Sequence, residues 1–262
     1  MLIALYQMQP LVGDIPGNLG KIAQAALAAA ELGAELLVTP ELATSGYAQG
    51  PGFQKLAQDR EGSIIDALRE MAADCGMAIC TGFPERDGSR VYNTAVLVRP
   101  DGSAEFTRKI HLYGEAERAA FAVGQAPPSV FEVNGIRTGM VICYDVEFPE
   151  TVRSLALAGA ELVLVPTALP QGPVSRRIAE TLVPTRALEN GLFIAYADLC
   201  GQEGQMTYGG WSGIYAPDGD VLARAGARET LLVVDIDPEG YAEAKAQNPY
   251  LRDRRPGLYR LG

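Results

Sequence analysis

The sequence predicts an α/β fold in which two mixed β-sheets face each other and helices cover their outer faces. First, short apolar runs alternate with segments of helical length and period in both halves of the chain. Second, these runs are apolar at consecutive positions, as expected of strands buried on both faces. Third, a chain of 262 residues that is 48% hydrophobic can bury a large core. We therefore predict one domain over residues 1–262, with a C-terminal tail from about residue 237.

The first half of the chain begins with a β-α-β unit. The apolar runs 2–8 and 35–41 are predicted strands. The segment 18–33 between them is a predicted helix, with Asn18 as its cap and Gly33 as its terminator. A helix at 63–76 and a strand at 77–83 follow. The strands 91–100 and 103–112 then form a hairpin around Asp101-Gly102.

The second half shows the same kind of alternation. A second hairpin turns at Asn134-Gly135, and its outgoing strand, 136–143, leads into a helix over 148–160. A long helix over roughly 174–190 ends at Gly191. The remaining predicted strands are 129–133, 161–169, 192–199, 209–225 and 230–237.

Charge and composition exclude several classes of function. The net charge of −10 argues against nucleic-acid binding, because phosphate contacts need clustered Lys and Arg. The basic cluster "RDRRP" at 252–256 lies near the chain end, where a solvated or interface tail is expected. No stretch approaches the about 20 apolar residues of a membrane span, and the opening residues lack the basic start of a signal peptide. We expect a cytoplasmic protein that binds neither nucleic acid nor membranes.

The cysteines and the single histidine limit disulfide and metal chemistry. Cys75, Cys80, Cys143 and Cys200 are irregularly spaced and form neither a disulfide framework nor a paired C-x-x-C zinc motif. We predict reduced thiols. His111 is the only histidine, which excludes histidine-rich metal sites and leaves one candidate for a Ser-His-Asp or Cys-His pair.

Three polar residues at the ends of predicted strands are candidates for catalysis. They are Glu41, Lys109 and Cys143, and the last stands between a strand and a helix. Each alone has a plainer explanation, as a solvated carboxylate, a surface lysine or a packed thiol. Together they supply a nucleophile, a base for its proton and a positive charge that stabilises a thiolate. The strand–helix junction also has the geometry of a nucleophile elbow, in which the next backbone N–H faces a developing oxyanion.

The segments "PELATSGY", "RKIHLYGEAERAAFAVG" and "GMVICYDVEFPE" resemble, in order and spacing, the three motifs of the nitrilase superfamily of carbon–nitrogen hydrolases. The similarity extends over nearly the whole chain and is greatest to the small bacterial amidases. It implies a four-layer α-β-β-α sandwich of the nitrilase type that forms a homodimer. It also implies catalysis without a metal or an organic cofactor.

The resemblance assigns a role to each matching residue. Glu41 matches the general base, Lys109 the residue that stabilises the tetrahedral intermediate, and Cys143 the nucleophile. Glu117 matches the additional glutamate of the family, whereas Glu115 has no counterpart. One departure from the family pattern lies at residues 123–124, which read Val-Gly where many members have Pro-Gly.

Three further residues are predicted to bind the substrate. Tyr47 and Tyr144 are candidates for the wall of an apolar pocket. Ala168 follows a strand whose end should lie next to that of the Cys143 strand. His111 shares a predicted strand face with Lys109 and is assigned no catalytic role, because strand histidines are more often structural.

The resemblance implies hydrolysis of a small primary amide to a carboxylic acid and ammonia through a thioester acyl-enzyme. Nitrilases and N-carbamoyl amidohydrolases use the same triad, and the motifs do not separate the three activities. A catalytically silent dimeric interaction protein is a further alternative, which the intact polar positions disfavour. The candidate pocket residues add no positive group beyond Lys109, which favours neutral amides over dicarboxylate monoamides, unless Arg108, Arg118 or Arg176 supplies a second positive site.

Overall fold

The computed structural model describes residues 1–259, which form helices and strands in four layers. The strands are β1 (Leu2–Gln7), β2 (Leu36–Val38), β3 (Ala78–Asp87), β4 (Arg90–Val98), β5 (Ala104–Arg108), β6 (Val130–Val133), β7 (Ile136–Met140), β8 (Leu162–Thr167), β9 (Phe193–Asp198), β10 (Cys200–Glu203), β11 (Met206–Gly209), β12 (Gly213–Tyr215), β13 (Val221–Arg224) and β14 (Thr230–Asp235). The helices are α1 (Ile15–Glu31), α2 (Phe53–Leu56), α3 (Ser63–Cys75), α4 (Gly114–Ala120), α5 (Pro149–Leu157), α6 (Pro173–Arg177), α7 (Val183–Asn190), α8 (Ala242–Gln247) and α9 (Tyr250–Asp253).

Two six-stranded sheets share one connection pattern. Their strand orders are β14-β1-β2-β3-β4-β5 and β13-β12-β9-β8-β7-β6. In each sheet the three central strands are parallel, β1-β2-β3 in one and β7-β8-β9 in the other, and antiparallel strands flank them. The carboxyl ends of parallel strands meet at one edge of a sheet, so each sheet presents its following loops together at that edge.

Successive residues of the central strands pack into different layers. In β1, Ile3 lies in the core between the two sheets, whereas Ala4 packs against the α1 and α3 side. In β8, Leu164 lies in the same inter-sheet core, and Val163 packs towards α5 and α7. The layers are therefore ordered α-β-β-α, as predicted. Burial of both faces explains why the strands are apolar at consecutive positions.

The start of the first helix differs from the prediction. The helix α1 begins at Ile15, and the capping carboxylate is that of Asp14, which accepts from the Gly17 N–H at 3.0 Å. Asn18 is instead buried inside the helix, where its side chain accepts from the Leu11 N–H and donates to the Leu11 carbonyl, each at 2.7 Å. The predicted cap thus anchors the loop between β1 and α1.

Two other predicted segments have a different internal structure. The segment 209–225 is not one strand, because a turn at residues 217–219 separates β12 from β13. The long helix is present, but a π-helical turn over Ile178–Leu182 divides it into α6 and α7, and Gly191 ends it in the left-handed conformation. The hairpin of β10 and β11 was not predicted.

The tail after β14 contains α8 and α9. Its last three residues, 260–262, lie outside the described residues. Over residues 1–259, no helix combines the length and the apolar character needed to cross a membrane.

Gly82 in β3 is the point of closest approach between this strand and the loop after β2. A Cβ at Gly82 would lie 2.2 Å from the Leu42 nitrogen and 2.8 Å from the Glu41 Cα. Leu42 has a φ of +50°, so its backbone is already strained. We expect Gly82→Ala to lower Tm, through a loss of roughly 1–3 kcal/mol in the free energy of unfolding.

The control for Gly82→Ala is Gly20→Ala in α1, where an added Cβ meets no atom within 4 Å. This substitution should maintain or raise Tm, because alanine favours a helix more than glycine does. Thermal unfolding of both variants checks the prediction. Equal Tm values for Gly82→Ala and the unsubstituted protein would contradict it.

Candidate active site

The three candidate catalytic side chains meet where the two sheets present the ends of their strands. Glu41 follows β2, Lys109 directly follows β5, and Cys143 follows β7. Their exposed fractions are 0%, 1% and 8%, so all three are buried. The Glu41 N–H donates to the Thr167 carbonyl in β8 at 3.3 Å, which joins a loop of one sheet to a strand of the other.

The ammonium group of Lys109 lies between two carboxylates. Its Nζ is 2.7 Å from Glu41 Oε1 and 2.6 Å from Glu117 Oε1. Burial acts to lower the pKa of Lys109, but the Glu41 and Glu117 carboxylates outweigh it and raise that pKa. Lys109 therefore remains a cation inside the protein, where a positive charge interacts strongly with nearby anions.

The Glu41 carboxylate has the properties of a general base. Burial raises its pKa to about 7, against the opposing effect of Lys109 and with a smaller contribution from Glu117. The Asn93 side-chain amide donates to Oε1 at 2.6 Å, which also acts to lower this pKa. The other oxygen, Oε2, is buried and has no hydrogen-bond partner among residues 1–259. A carboxylate that titrates near neutral pH and has an open oxygen can accept and return a proton.

Cys143 occupies the sharp junction that its sequence position predicts. Its φ is +46°, and it begins a short 3₁₀ turn, Cys143–Glu147, that leads into α5. A residue with a side chain adopts this left-handed conformation only where the surrounding structure imposes it. The turn directs the thiol towards the loops of both sheets.

Burial keeps the thiol of Cys143 in its neutral form. Burial and the Glu41 carboxylate raise its pKa well above the ordinary value, although Lys109 and a hydrogen bond from the Ala168 backbone act to lower it. The thiol consequently needs a base at the moment of attack. Ala168 lies beside Cys143, because β7 and β8 pair in parallel up to Met140 and Leu164 and the chain segments that follow stay adjacent. Its role in substrate binding stays a prediction.

Glu117 is held by more than its ion pair with Lys109. The Tyr113 N–H donates to Oε2 at 2.7 Å, and the Tyr47 hydroxyl donates to Oε1 at 2.5 Å. Tyr47 therefore joins the polar network in addition to lying at the site. Tyr144 is half-buried and packs edge-on against Tyr113.

His111 does not share a strand face with Lys109, because β5 ends at Arg108. Its Nδ1 lies 2.8 Å from Asp145 Oδ1, and its ring stacks on Phe148 with the ring centres 3.8 Å apart. The same Asp145 oxygen also accepts from the His111 N–H at 2.8 Å.

Asn93 and Asp145 belong to the site but were not predicted from the sequence. Asp145 Oδ2 accepts from the Ile142 N–H at 3.2 Å, and Oδ1 accepts from the His111 N–H, so one carboxylate joins the Cys143 and Lys109 segments. The place of Asp145 in the third motif was the available signal. Asn93 is buried in β4 and had no comparable signal.

The departure at residues 123–124 leaves the site intact. The Gly124 N–H donates to the Lys109 carbonyl at 2.8 Å, and a Cβ at Gly124 would lie 2.7 Å from the Arg108 carbonyl oxygen. Val123 is 43% exposed and tolerates a different side chain more readily. Of residues 123 and 124, Gly124 is therefore the one whose small size the backbone around Lys109 requires.

A four-layer sandwich with a buried thiol, a lysine and two carboxylates at the junction of its sheets is the arrangement of a hydrolase that cleaves carbon–nitrogen bonds through a covalent cysteine intermediate. The chain belongs to the carbon–nitrogen hydrolase family of the nitrilase superfamily, and the sequence model of that family, described as "Carbon-nitrogen hydrolase", matches residues 2–246. No group of three or more His, Cys, Asp or Glu side chains within residues 1–259 is arranged to hold a metal ion.

Relatives and solved structures of this family match nearly the full chain. A hydrolase in the pqqF 5' region of Pseudomonas protegens is 42% identical over 99% of this chain and 90% of its own. An (R)-stereoselective amidase of a Pseudomonas species is 36% identical over 97% of this chain and 92% of its own. An amidase of Nesterenkonia sp. AN1, solved with acrylamide added at its active-site cysteine, is 38% identical, covers 98% of each chain and has a TM-score of 0.89.

The pKa of Glu41 predicts the pH dependence of the reaction. A carboxylate accepts the thiol proton only when ionised, so kcat/KM should rise with pH through about 7 and level off above it. Asn93→Leu removes a hydrogen bond that lowers this pKa, and the inflection should move to higher pH. Ammonia release measured from about pH 5 to about pH 9 checks both statements.

The control for Asn93→Leu is the adjacent substitution Thr94→Val. Thr94 donates to Glu85, not to Glu41, so its removal should leave the inflection in place. An inflection that is identical in Asn93→Leu and the unsubstituted protein would show that a group other than Glu41 titrates.

Proposed function

We propose that this protein hydrolyses small neutral primary amides, with Cys143 as nucleophile, Glu41 as general base and Lys109 as the cation that stabilises the oxyanion. The observation that carries the proposal is the buried Lys109 ammonium, 2.7 Å from Glu41 and 2.6 Å from Glu117. The family and its amidase relatives establish an amide hydrolase. The residue roles and the substrate are our assignment.

Acylation begins when Glu41 takes the proton of the Cys143 thiol and the sulfur attacks the amide carbon. Negative charge develops on the former carbonyl oxygen, which faces Lys109 and the Tyr144 backbone N–H. Glu41 then gives its proton to the amide nitrogen, the C–N bond breaks, and ammonia leaves a thioester on Cys143. Glu117 orients Lys109 during these steps.

Deacylation uses the same carboxylate. Glu41 takes a proton from water, and the resulting hydroxide attacks the thioester carbon. The C–S bond breaks, the proton returns to the sulfur, and the carboxylic acid leaves. A pKa of about 7 suits Glu41 to both accepting and donating a proton near neutral pH.

The described charges favour a neutral substrate. A dicarboxylate monoamide needs a second positive group, and the arginines considered for that purpose are engaged elsewhere. Arg108 pairs with Glu85 and Asp87, Arg118 donates to the Leu112 carbonyl at 3.2 Å, and Arg176 pairs with Glu180 at 3.0 Å. Nitrile hydrolysis and N-carbamoyl hydrolysis use the same site chemistry and remain the alternatives that a substrate panel decides.

We also propose that the protein forms a homodimer through α5, α7 and the C-terminal tail. These elements line one surface groove. Leu157 of α5, Leu188 of α7 and Tyr250 of α9 are 53%, 37% and 45% exposed. Exposed apolar side chains of this size are suited to an interface.

A single domain over residues 1–262 and a cytoplasmic location also remain proposals. The cysteines Cys75, Cys80, Cys143 and Cys200 carry no disulfide, which suits a reducing compartment. Binding of nucleic acid is not expected at a net charge of −10.

Removal of the nucleophile should abolish turnover and leave the fold intact. We expect Cys143→Ala to release no ammonia. Cys75→Ala, which removes a half-buried thiol at the end of α3, should retain full activity. Mass spectrometry of the unsubstituted protein with substrate should show one acyl group on Cys143. Ammonia release by folded Cys143→Ala would refute the nucleophile assignment.

The substrate class is tested by a panel of four compounds. Values of kcat/KM are compared for a neutral aliphatic amide, the corresponding nitrile, a carbamoyl amine and a dicarboxylate monoamide. We expect the neutral amide to be preferred by at least about tenfold, which corresponds to roughly 1.4 kcal/mol. A preference of that size for any other compound would replace the proposal with the activity on that compound.

The dimer is tested by light scattering at micromolar concentration. We expect the mass of two chains for the unsubstituted protein and of one chain for Leu188→Glu, because a buried charge would oppose association. Leu27→Glu, at a 56% exposed position on α1 in the opposite helical layer, should remain dimeric. A monomeric unsubstituted protein would refute the proposal.

A further inference from the structure

The unpredicted hairpin of β10 and β11 brings a buried carboxylate close to the site. We propose that Glu203, at the end of β10, is a positioning residue for amide hydrolysis, which holds Tyr47 and through it the Glu117–Lys109 pair. This inference rests on the proposed function, since it concerns the lysine that stabilises the oxyanion. The hydrogen bonds of Glu203 itself go to Tyr47, Ala48 and Tyr208, and none goes to Cys143 or Lys109.

One oxygen of Glu203 gathers three donors. Its Oε2 accepts from the Tyr47 N–H and the Ala48 N–H, each at 3.0 Å, and from the Tyr208 hydroxyl at 2.6 Å. The residue is 1% exposed. A buried carboxylate is costly unless hydrogen bonds compensate it, so these three contacts fix both the hairpin and the start of the Tyr47 loop.

The loop is also shaped to admit this carboxylate. Gly46 has a φ of +78°, and a Cβ there would lie 2.1 Å from Glu203 Oε1. Oε1 has no hydrogen-bond partner among residues 1–259. The absence of a side chain at Gly46 therefore lets the Glu203 carboxylate come close enough for its Oε2 to bind the Tyr47 loop.

Tyr47 transmits this restraint to the lysine. Its hydroxyl donates to Glu117 Oε1 at 2.5 Å, and the same oxygen pairs with Lys109 Nζ at 2.6 Å. The ring of Tyr47 also packs edge-on against Tyr208, with the ring centres 6.3 Å apart. A shift of the Tyr47 loop therefore displaces the hydrogen bond from the Tyr47 hydroxyl to Glu117 Oε1, the oxygen that also pairs with Lys109.

The other side of the hairpin is fixed to the loop after β8. The Gln171 N–H donates to the Thr207 carbonyl at 2.7 Å, and the Gly209 N–H donates to the Leu169 carbonyl at 3.2 Å. Leu169 directly follows Ala168, whose backbone N–H interacts with the Cys143 thiol. Glu203 thus ties the lysine side of the site to a hairpin that is anchored beside the nucleophile.

The first test compares three substitutions by their kcat and KM. We expect Glu203→Ala to lower kcat by about 100-fold, as misplacement of a catalytic group by about 1 Å does. Glu203→Gln retains an acceptor oxygen for the three donors and should lose only about fivefold to tenfold, because charged acceptors form hydrogen bonds roughly twice as strong. Glu229→Ala is the control, since Glu229 also accepts from a tyrosine hydroxyl and a backbone N–H but contacts Tyr6 and Gln9, away from Glu117.

The second test separates positioning from fold stability by a double-mutant cycle. Tyr47→Phe removes the hydroxyl that reaches Glu117, so adding Glu203→Ala or Glu203→Gln to it should lower kcat by less than about threefold further. Effects on kcat that multiply would overturn the inference, because Glu203 would then act independently of Tyr47. If Glu203→Ala does not fold, the cycle with Glu203→Gln carries the test.

The two proposals fail in different ways. If the unsubstituted protein releases no ammonia from any amide, the proposed function is wrong. If it does, and Glu203→Ala has an unchanged kcat, only the role of Glu203 is wrong. Thermal unfolding of every variant confirms that the compared proteins are folded.

Discussion

The site depends on one buried ion triad, in which a single ammonium lies between two carboxylates. Lys109, Glu41 and Glu117 are at most 3% exposed, so water cannot compensate their charges and they must compensate each other. One cation cannot neutralise two anions, and burial raises the pKa of Glu41 to about 7. A glutamate with this pKa suits the role of general base near neutral pH that we propose for it.

The triad also restricts the backbone around it. Its three members come from the loop after β2, the end of β5 and the helix α4, and these can meet only where the main chains approach closely. Gly82 and Gly124 provide that approach, because a Cβ at either position would overlap a neighbouring backbone atom. Asp145 then ties the lysine segment to the cysteine segment through two backbone N–H groups. The left-handed conformation of Cys143 is stable because both sides of it are held in this way.

Much of the fold could be predicted because its strands are buried on both faces. Continuous apolar runs located the central strands, and the alternation with helices gave the four layers. The errors occurred where a long-range contact decides the local structure. Asparagine is a residue type that often caps helices, yet the side-chain amide of Asn18 binds Leu11 and the cap is Asp14. The hairpin of β10 and β11 forms a separate two-stranded sheet outside the two large sheets. Its strands therefore lack the strongly apolar run that marks a central strand.

The site shows the same contrast between features that local sequence patterns reveal and features that long-range contacts decide. Glu41, Lys109 and Cys143 could be proposed together from the sequence because each lies in a local motif at a strand end, and the structure places them side by side. Asn93 could not, since it sits in the middle of a strand and is identified only by its bond to Glu41. Glu203 lies 156 residues after Tyr47 and meets it through the backbone, so no side-chain pattern announces the contact. The residues to which we assign the reaction therefore lie in local sequence motifs, whereas the residues that position them are set by how the two sheets and their loops pack together.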